Sequence, residues 1–295
     1  VTRVTNQDGS SSNLITFMYD VYRVVDAHCH LGELLQRSKC PDLQSVLEEL
    51  THGFEEVEVE CVISNQCFEN QWKSEAGMAR LAGDPRISFC IGIHPRFLAS
   101  YNTKQLVSSL EQQLKHPKVV GLGEIGLDFS VPNLDELVMK EQQGVLELCL
   151  PLAIKNKLPV VLHCQGKEQD GSLQRCLDIL QRTVPPSQPV HMHCFGGEVT
   201  EALAILEAFP NTVFGITAGC HHQERDNMIR QLPLDHIVLE TDFPYLVPPC
   251  FKDQAPFSNP GMILEAAKLV ANLKNVPLSC VCQITSATAK KFYHL

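Results

Sequence analysis

The chain has no run approaching the roughly 18 consecutive apolar residues that a spanning helix needs, so it offers no candidate membrane segment. It also lacks an excess of positive charge. Against 34 Asp and Glu stand only 24 Lys and Arg, and the formal net charge of −10 means that its overall field cannot attract nucleic acid. Aromatic residues are sparse, at 13 Phe, 5 Tyr and 1 Trp. The 13 cysteines are an odd number without paired spacing, and no secretory signal precedes them, which points to reduced thiols in the cytoplasm or nucleus. Cys280-Val-Cys282 has the wrong spacing for a structural zinc loop and is read as packing. No G-x-S-x-G elbow and no Walker A loop occur, which removes two familiar catalytic frameworks.

What remains is a soluble globular composition, 44% hydrophobic and 20% charged, with no linker or compositional shift marking a second domain. Residues 1–20 are polar and Ser-rich and read as a tail, a cloning remnant or the end of a longer polypeptide; residues 21–295 read as one domain. From Val21 onward, short β-branched runs alternate with longer amphipathic stretches. Strands are expected at Tyr22–Ala27, Val57–Ser64, Ile87–Ile93, Lys118–Gly123, Pro159–Leu162, Pro189–Met192, Thr212–Ile216 and His236–Glu240. Helices are expected at Leu43–Phe54, Thr103–His116, Asp135–Asn156, Leu173–Thr183, Glu198–Phe209 and Leu278–Tyr293. Eight such repeats fit an α/β (β/α)₈ TIM barrel of about 250 residues. A doubly wound sheet is the rival, but polar residues gather at the C-terminal ends of at least five strands, which a closed barrel would bring around one centre.

That gathering carries the chemistry. The first strand ends in Asp26-Ala-His28-Cys-His30, and residues two apart share a strand face, so His28 and His30 can serve one metal ion. Glu124 ends the fourth strand, His163 the fifth, His193 the sixth and Asp242 the eighth. Six donors exceed what one catalytic metal uses while keeping an open position, so two divalent ions bridged by Glu124 is the economical arrangement. The alternative is a scatter of core histidines, each bonded to a backbone carbonyl. Four imidazoles suit Zn, Ni, Fe or Mn better than Mg on ligand chemistry.

The order of these motifs resembles the TatD family of metal-dependent deoxyribonucleases, amidohydrolase-like TIM barrels. The carriers are Asp26-Ala-His28-Cys-His30-Leu, Gly92-Ile-His94-Pro95, Gly123-Glu124-Ile-Gly126-Leu-Asp128, Leu162-His163-Cys, His193-Cys-Phe195 and Glu240-Thr241-Asp242-Phe-Pro244, spanning Val25 to Leu295. The resemblance implies that His28, His30, Glu124 and Asp242 hold one metal, that Glu124, His163 and His193 hold the other, and that His94 lies near the scissile phosphate. Family members are commonly described as magnesium-dependent. Three positions depart from the family pattern. Gln165 stands where an Arg often follows the strand-five histidine, with Lys167 as a possible substitute. Ser258-Asn259-Pro260 replaces Arg-Asn-x-Pro, and Ser286-Ala287-Thr288 replaces an Asn in the last helix. These bear on substrate preference rather than on metal binding.

Other features have blander readings. Gly121-Leu-Gly123-Glu-Ile-Gly126 matches a dinucleotide fingerprint in form, but Asp128-Phe-Ser-Val-Pro132-Asn intervenes before any helix, so the glycines are read as making room around the metals. Cys29, Cys164 and Cys194 neighbour ligand histidines and should point away from them by strand alternation. His52, His221 and His222 read as solvated or capping, with substrate contact the sharper alternative for the last two. Asp26 and Asp128 read either as partners of ligand imidazoles or as loop caps. Phe97, Phe129, Phe195, Phe243 and Tyr245 all lie near strand ends and are candidates for a base-stacking rim, with loop packing the alternative, favoured for Phe195.

The expectation is therefore a metal-dependent phosphodiester hydrolase, a deoxyribonuclease of exonuclease type acting on DNA ends, with RNA as a further substrate and no membrane or obligate protein partner. Glu124, Asp242 and His94 would be its catalytic residues, Asp242 as general base and His94 steadying the phosphate or leaving oxygen. Two divalent cations against two ligand carboxylates would leave a local surplus of about two positive charges for a phosphate. An amidohydrolase or lactonase is the enzymatic alternative. Related enzymes of that kind often carry a carbamylated lysine where this chain has Glu124. A catalytically silent binding barrel is the other alternative.

Overall fold

A computed structural model describes residues 2–5, 11–14, 21–33, 51–97, 103–166, 171–220 and 222–295. Most of the expected helix Leu43–Phe54, together with Lys167 and His221, lies outside them. Residues 2–5 and 11–14 pair as a two-stranded antiparallel ribbon, which their polar composition did not suggest.

Eight parallel strands follow, hydrogen-bonded in chain order: β1 (Tyr22–Cys29), β2 (Val57–Gln66), β3 (Ile87–Ile91), β4 (Val119–Asp128), β5 (Val160–Gln165), β6 (Val190–Met192), β7 (Thr212–Ile216) and β8 (Ile237–Leu239). All eight expected strands are present, and the helices that separate them make a TIM barrel rather than a doubly wound sheet. These helices are α1 (Glu69–Trp72), α2 (Glu75–Ala82), α3 (Thr103–Gln113), α4 (Glu136–Asn156), α5 (Ser172–Thr183), α6 (Val199–Ala208), α7 (Gln223–Gln231), α8 (Ile263–Lys274) and α9 (Leu278–Tyr293). The expected boundaries of α9 are met, and Asp135 caps α4 by accepting from the Leu137 amide at 2.8 Å. Helices α1, α2, α7 and α8 were not expected. α7 (QERDNMIRQ) is polar almost throughout, and its buried Arg225 donates through its two terminal nitrogens to the Thr217 and Cys220 carbonyls rather than being revealed by any apolar stripe.

Alternation along the strands separates two cores. Val24, Phe89, Leu122, Leu162 and Phe214 pack outward with helix residues such as Trp72, Leu146 and Ile179. Val25, Ala27, Cys90, Val161, Val213 and Val238 point inward, where Ala289, Phe292 and Tyr293 of α9 close the barrel floor.

Strict alternation would then turn His28 and Glu124 away from the axis. Both strands break register at the decisive point, β1 between Asp26 and Cys29 and β4 between Leu122 and Ile125. An irregularity of one residue reverses every side chain beyond it. Cys29, Ile125 and Leu127 therefore join the helix-facing core, and His28, His30 and Glu124 are left for the centre.

The barrel is closed by residues of the candidate site themselves. Beyond β8, the Asp242 amide donates to the His28 carbonyl at 3.0 Å and the His30 amide donates to the Phe243 carbonyl at 2.7 Å. Asp26 clamps the same seam, accepting from the Thr241 hydroxyl at 2.5 Å and its amide at 3.1 Å.

Candidate metal centre

Glu124 sits among imidazoles from three strand ends. His163 Nδ1 is 3.1 Å from its Oε1, His193 Nε2 3.3 Å and His28 Nε2 3.7 Å, while His30 Nε2 lies 3.6 Å from Oε2. Asp242 comes in from the seam, its Oδ1 lying 3.2 Å from His30 Nε2, 3.7 Å from His28 Nε2 and 3.8 Å from His193 Nε2. All six donors that the strand ends supply are thus brought together and buried. Two glycines make the approach possible. At Gly126 the backbone has φ +148° and a Cβ would lie 1.8 Å from the His163 carbonyl oxygen, while at Gly215 a Cβ would fall 2.1 Å from the Glu240 carboxyl group.

Three of the four imidazoles keep one nitrogen for the centre and give the other to an outer group. His30 Nδ1 donates to the Asn65 carbonyl at 3.2 Å, His163 Nε2 pairs with Asp128 Oδ2 at 3.1 Å, and His193 Nδ1 pairs with Glu240 Oε1 at 3.2 Å. Such outer acceptors fix the tautomer and turn the remaining lone pair inward. Asp128 thus orients a ring, whereas Asp26 touches no imidazole and serves the seam. Glu240 was missed as a site residue. It also lies 2.7 Å from His191 Nε2 and accepts from the Cys194 amide at 2.9 Å. The signal for it was available, since Glu240 shares a strand face with Asp242 and faces a mid-strand glycine across β7.

The electrostatics call for positive charge. Burial would raise the Glu124 carboxyl, but His193, His28 and His163 hold it well below its ordinary range. Burial likewise opposes charge on His193, yet Glu240 and Glu124 push that ring up to about 10, and Asp128 and Glu124 push His163 up to about 9. The buried Asp242 Oδ1 has no hydrogen-bond partner, nor has His28 Nδ1. Four overlapping sets of donor atoms lie within 4.8 Å of one another: His28, Glu124 and His193; His28, His30 and Asp242; His30, Cys67 and Glu124; and His94, Glu124 and His163. Mixed imidazole and carboxylate donors around an unpartnered carboxylate oxygen are the chemistry of a cation site.

His94 enters one of these sets, its ring centroid 4.5 Å from that of His163. Burial lowers its pKa to about 3, so the ring is neutral. Its Nδ1 accepts from the Arg96 amide at 3.1 Å, which puts the proton on Nε2. Cys67, which the sequence did not single out, lies 3.5 Å from Glu124 Oε2. Cys29 and Cys164 pack with the helices, and Cys194 turns to Thr217 and Cys220. His52 is exposed, and His222 is an exposed residue at the start of α7, paired with Glu224 at 3.3 Å.

The expected aromatic rim is largely absent. Phe129, Phe195 and Phe243 are core residues, and the Phe97 side chain is outside the described set. Tyr245 is the candidate ring that reaches solvent, 44% exposed and 5.5 Å from the His30 ring, with its hydroxyl donating to Glu33.

Known proteins resemble this chain over most of its length. The profile of the family described as TatD related DNase matches residues 25–294. A human 3'-5' RNA nuclease, TATDN2, is 30% identical over 275 residues, which cover 92% of this chain and 35% of the relative, so the chain spans about a third of that protein. The 3'-5' ssDNA/RNA exonuclease TatD of Erwinia billingiae is 28% identical over 230 residues, 75% of this chain and 84% of the relative. In fold, a TatD homologue from Escherichia coli, YJJV, superimposes with a TM-score of 0.73 at 22% identity, covering 92% and 98% of the two chains.

Proposed function

The chain belongs to the family of TatD-related DNases, metal-dependent hydrolases with nuclease members, and from that premise we propose that residues 21–295 form a two-cation exonuclease. Its substrate is the end of a single-stranded nucleic acid, DNA in the first place and RNA by the same chemistry, trimmed in the 3'-5' direction that the names of its relatives carry. The observation that supports this best is the convergence of four imidazole nitrogens on the two oxygens of Glu124, with Asp242 Oδ1 unpartnered among them.

His28, His30, Asp242 and Glu124 would hold one cation, and Glu124, His163 and His193 the second. When bound, the cations supply Lewis-acid charge to the phosphate and make a water acidic enough to attack at neutral pH. Asp242 would accept the proton of the attacking water at its carboxylate. His94 donates its Nε2 hydrogen to a phosphate or leaving oxygen. The charge count is tighter than the sequence suggested. Glu240 and Asp128 add two further buried carboxylates, so two divalent ions only balance the four, and the Arg96 guanidinium beside Asp128 brings the local surplus to about one positive charge.

The test is cleavage of oligonucleotides labelled at the 3' or the 5' end, as DNA and as RNA, with elemental analysis of the purified protein. Release of the 3' label in the first cleavage, stepwise shortening of the 5'-labelled strand and about two ions per chain are expected. Intact oligonucleotides with every metal tried would overturn the reading.

A further inference from the structure

The guanidinium of Arg96 has no part in the chemistry above, yet it lies at the mouth of the centre. The 3₁₀ turn Pro95–Phe97 places it directly after His94. Its Nε is 2.5 Å from Asp128 Oδ2, and its Nη2 donates to Ser130 Oγ at 2.8 Å. The Asp128 side chain is fully buried, whereas that of Arg96 is 47% exposed, so the guanidinium meets the site along one edge and solvent along the other.

We infer that Arg96 binds a backbone phosphate of the substrate strand next to the one being cleaved, an inference that rests on the nuclease reading. A role confined to holding Asp128 does not account for it. Asp128 is already satisfied without it, since its Oδ1 accepts from the Ser130 amide at 3.0 Å and hydroxyl at 2.6 Å, and its Oδ2 pairs with His163 at 3.1 Å. A guanidinium has five donors in a planar fork that matches phosphate oxygens two at a time, and only part of that fork is used here.

The neighbouring phosphate is favoured because Asp128 and the whole His163 ring stand between Arg96 and Glu124. The guanidinium is thus set outward from the cation donors, where the chain of phosphates continues. Asp128 is the register partner of Gln165, so Arg96 delivers a cation beside the uncharged residue that ends β5. In a protein of net charge −10 that local cation matters more than it would on a basic surface.

The experiment compares Arg96→Ala and Arg96→Lys with the unaltered protein on a single-stranded oligonucleotide and on bis(p-nitrophenyl) phosphate, which has no neighbouring phosphate. Metal stoichiometry is measured for each protein. Arg96→Ala should keep its metal, raise the oligonucleotide KM about ten- to a hundredfold, and lose at least about tenfold less on the small diester. The slope of log KM against log salt should fall by about 0.7, the share of one single-strand phosphate contact, and Arg96→Lys should restore most of that slope. An uncharged methylphosphonate placed next to the scissile linkage should weaken the unaltered protein and add little to the defect of Arg96→Ala. Loss of metal, an equal factor on both substrates, or an unchanged salt slope would show that Arg96 acts only through Asp128. Inactivity of the unaltered protein on both substrates would instead remove the nuclease reading, and this inference with it.

Discussion

The two sides of the centre differ in how they are built. On the seam between β1 and β8, His28, His30 and Asp242 are held by backbone hydrogen bonds that also close the barrel, and behind them lie Asp26, Glu240 and Asn65, all buried. On the β4 and β5 side, His163 leads outward through Asp128 to a half-exposed Arg96, with His94 alongside. A side whose donors cannot move without opening the fold suits permanent retention of a cation. A side that grades from buried imidazole to solvated guanidinium suits a ligand that comes and goes. The same set of residue types is thus divided between holding and receiving.

Glu124 belongs to both sides, and its loss should erase the difference between them. Glu124→Gln should remove at least one ion per chain by elemental analysis and reduce turnover to background. Full metal content in that variant would mean that the carboxylate bridges nothing. Glu240 lies behind the seam and reaches the other side of the centre through His193. Glu240→Gln preserves its size but weakens the acceptor on His193, so metal affinity should fall about ten- to a hundredfold, measured by competition with a chelator, and excess metal should restore turnover. A defect that added metal does not repair would place Glu240 in the reaction itself.

The seam side was also the more legible in the sequence. His28, His30 and Asp242 lie at strand ends, and a barrel collects strand ends. The route by which β1 and β4 present their ligands was not legible, because alternation is the rule a reader applies and these strands break it at Asp26 to Cys29 and at Leu122 to Ile125. Glu240 was within reach as the partner of a mid-strand glycine. Arg96 and Cys67 were not, since each sits in a loop that no periodicity governs and reaches the centre only in three dimensions. Helices α1 and α2 are short and α7 is polar, so the apolar stripe that announces a helix is missing from them.

Titration should sharpen the contrast further. Burial lowers the pKa of His193 and His163, but Glu240 and Glu124 for the first, and Asp128 and Glu124 for the second, raise them to about 10 and about 9. In the metal-free protein both rings therefore hold protons at pH 7, and the stability they contribute is complete below the unfolded imidazole value of about 6.5 and lost as pH rises through about 9 to 10. A cation must displace those protons, so its affinity should increase with pH over the same window. The gap in Tm between metal-loaded and metal-free protein should accordingly widen from pH 7 to pH 10, and metal addition at pH 7.5 should release protons that calorimetry in two buffers can count. A constant gap with no proton release would mean that these imidazoles are neutral before metal arrives.

The smallest effect is expected at Tyr245, where the seam side meets solvent. The sequence offered five rings as a stacking rim, and burial of Phe129, Phe195 and Phe243 leaves Tyr245 as the ring shown to be open to a base. It leans edge-on toward His30 at 5.5 Å, and its hydroxyl donates to Glu33, so the half-exposed ring is tethered at its tip. Base stacking on a tethered ring contributes about 1 to 3 kcal/mol, and the lower end applies to a side chain that is already 44% exposed. Tyr245→Leu keeps an apolar contact on His30 but offers no π-face, and should raise the KM for a single-stranded oligonucleotide about fivefold while leaving its salt slope as it was. Tyr245→Phe keeps the ring and drops the tether, and should change KM by about twofold at most. The two sides would then be separable by one measurement, because the Arg96 defect moves with salt and the Tyr245 defect does not. If Tyr245→Leu lowered Tm enough to explain its kinetics, or changed the salt slope as Arg96→Ala is expected to, the ring would be a structural lid on His30, and substrate affinity would rest on the β4 and β5 side alone.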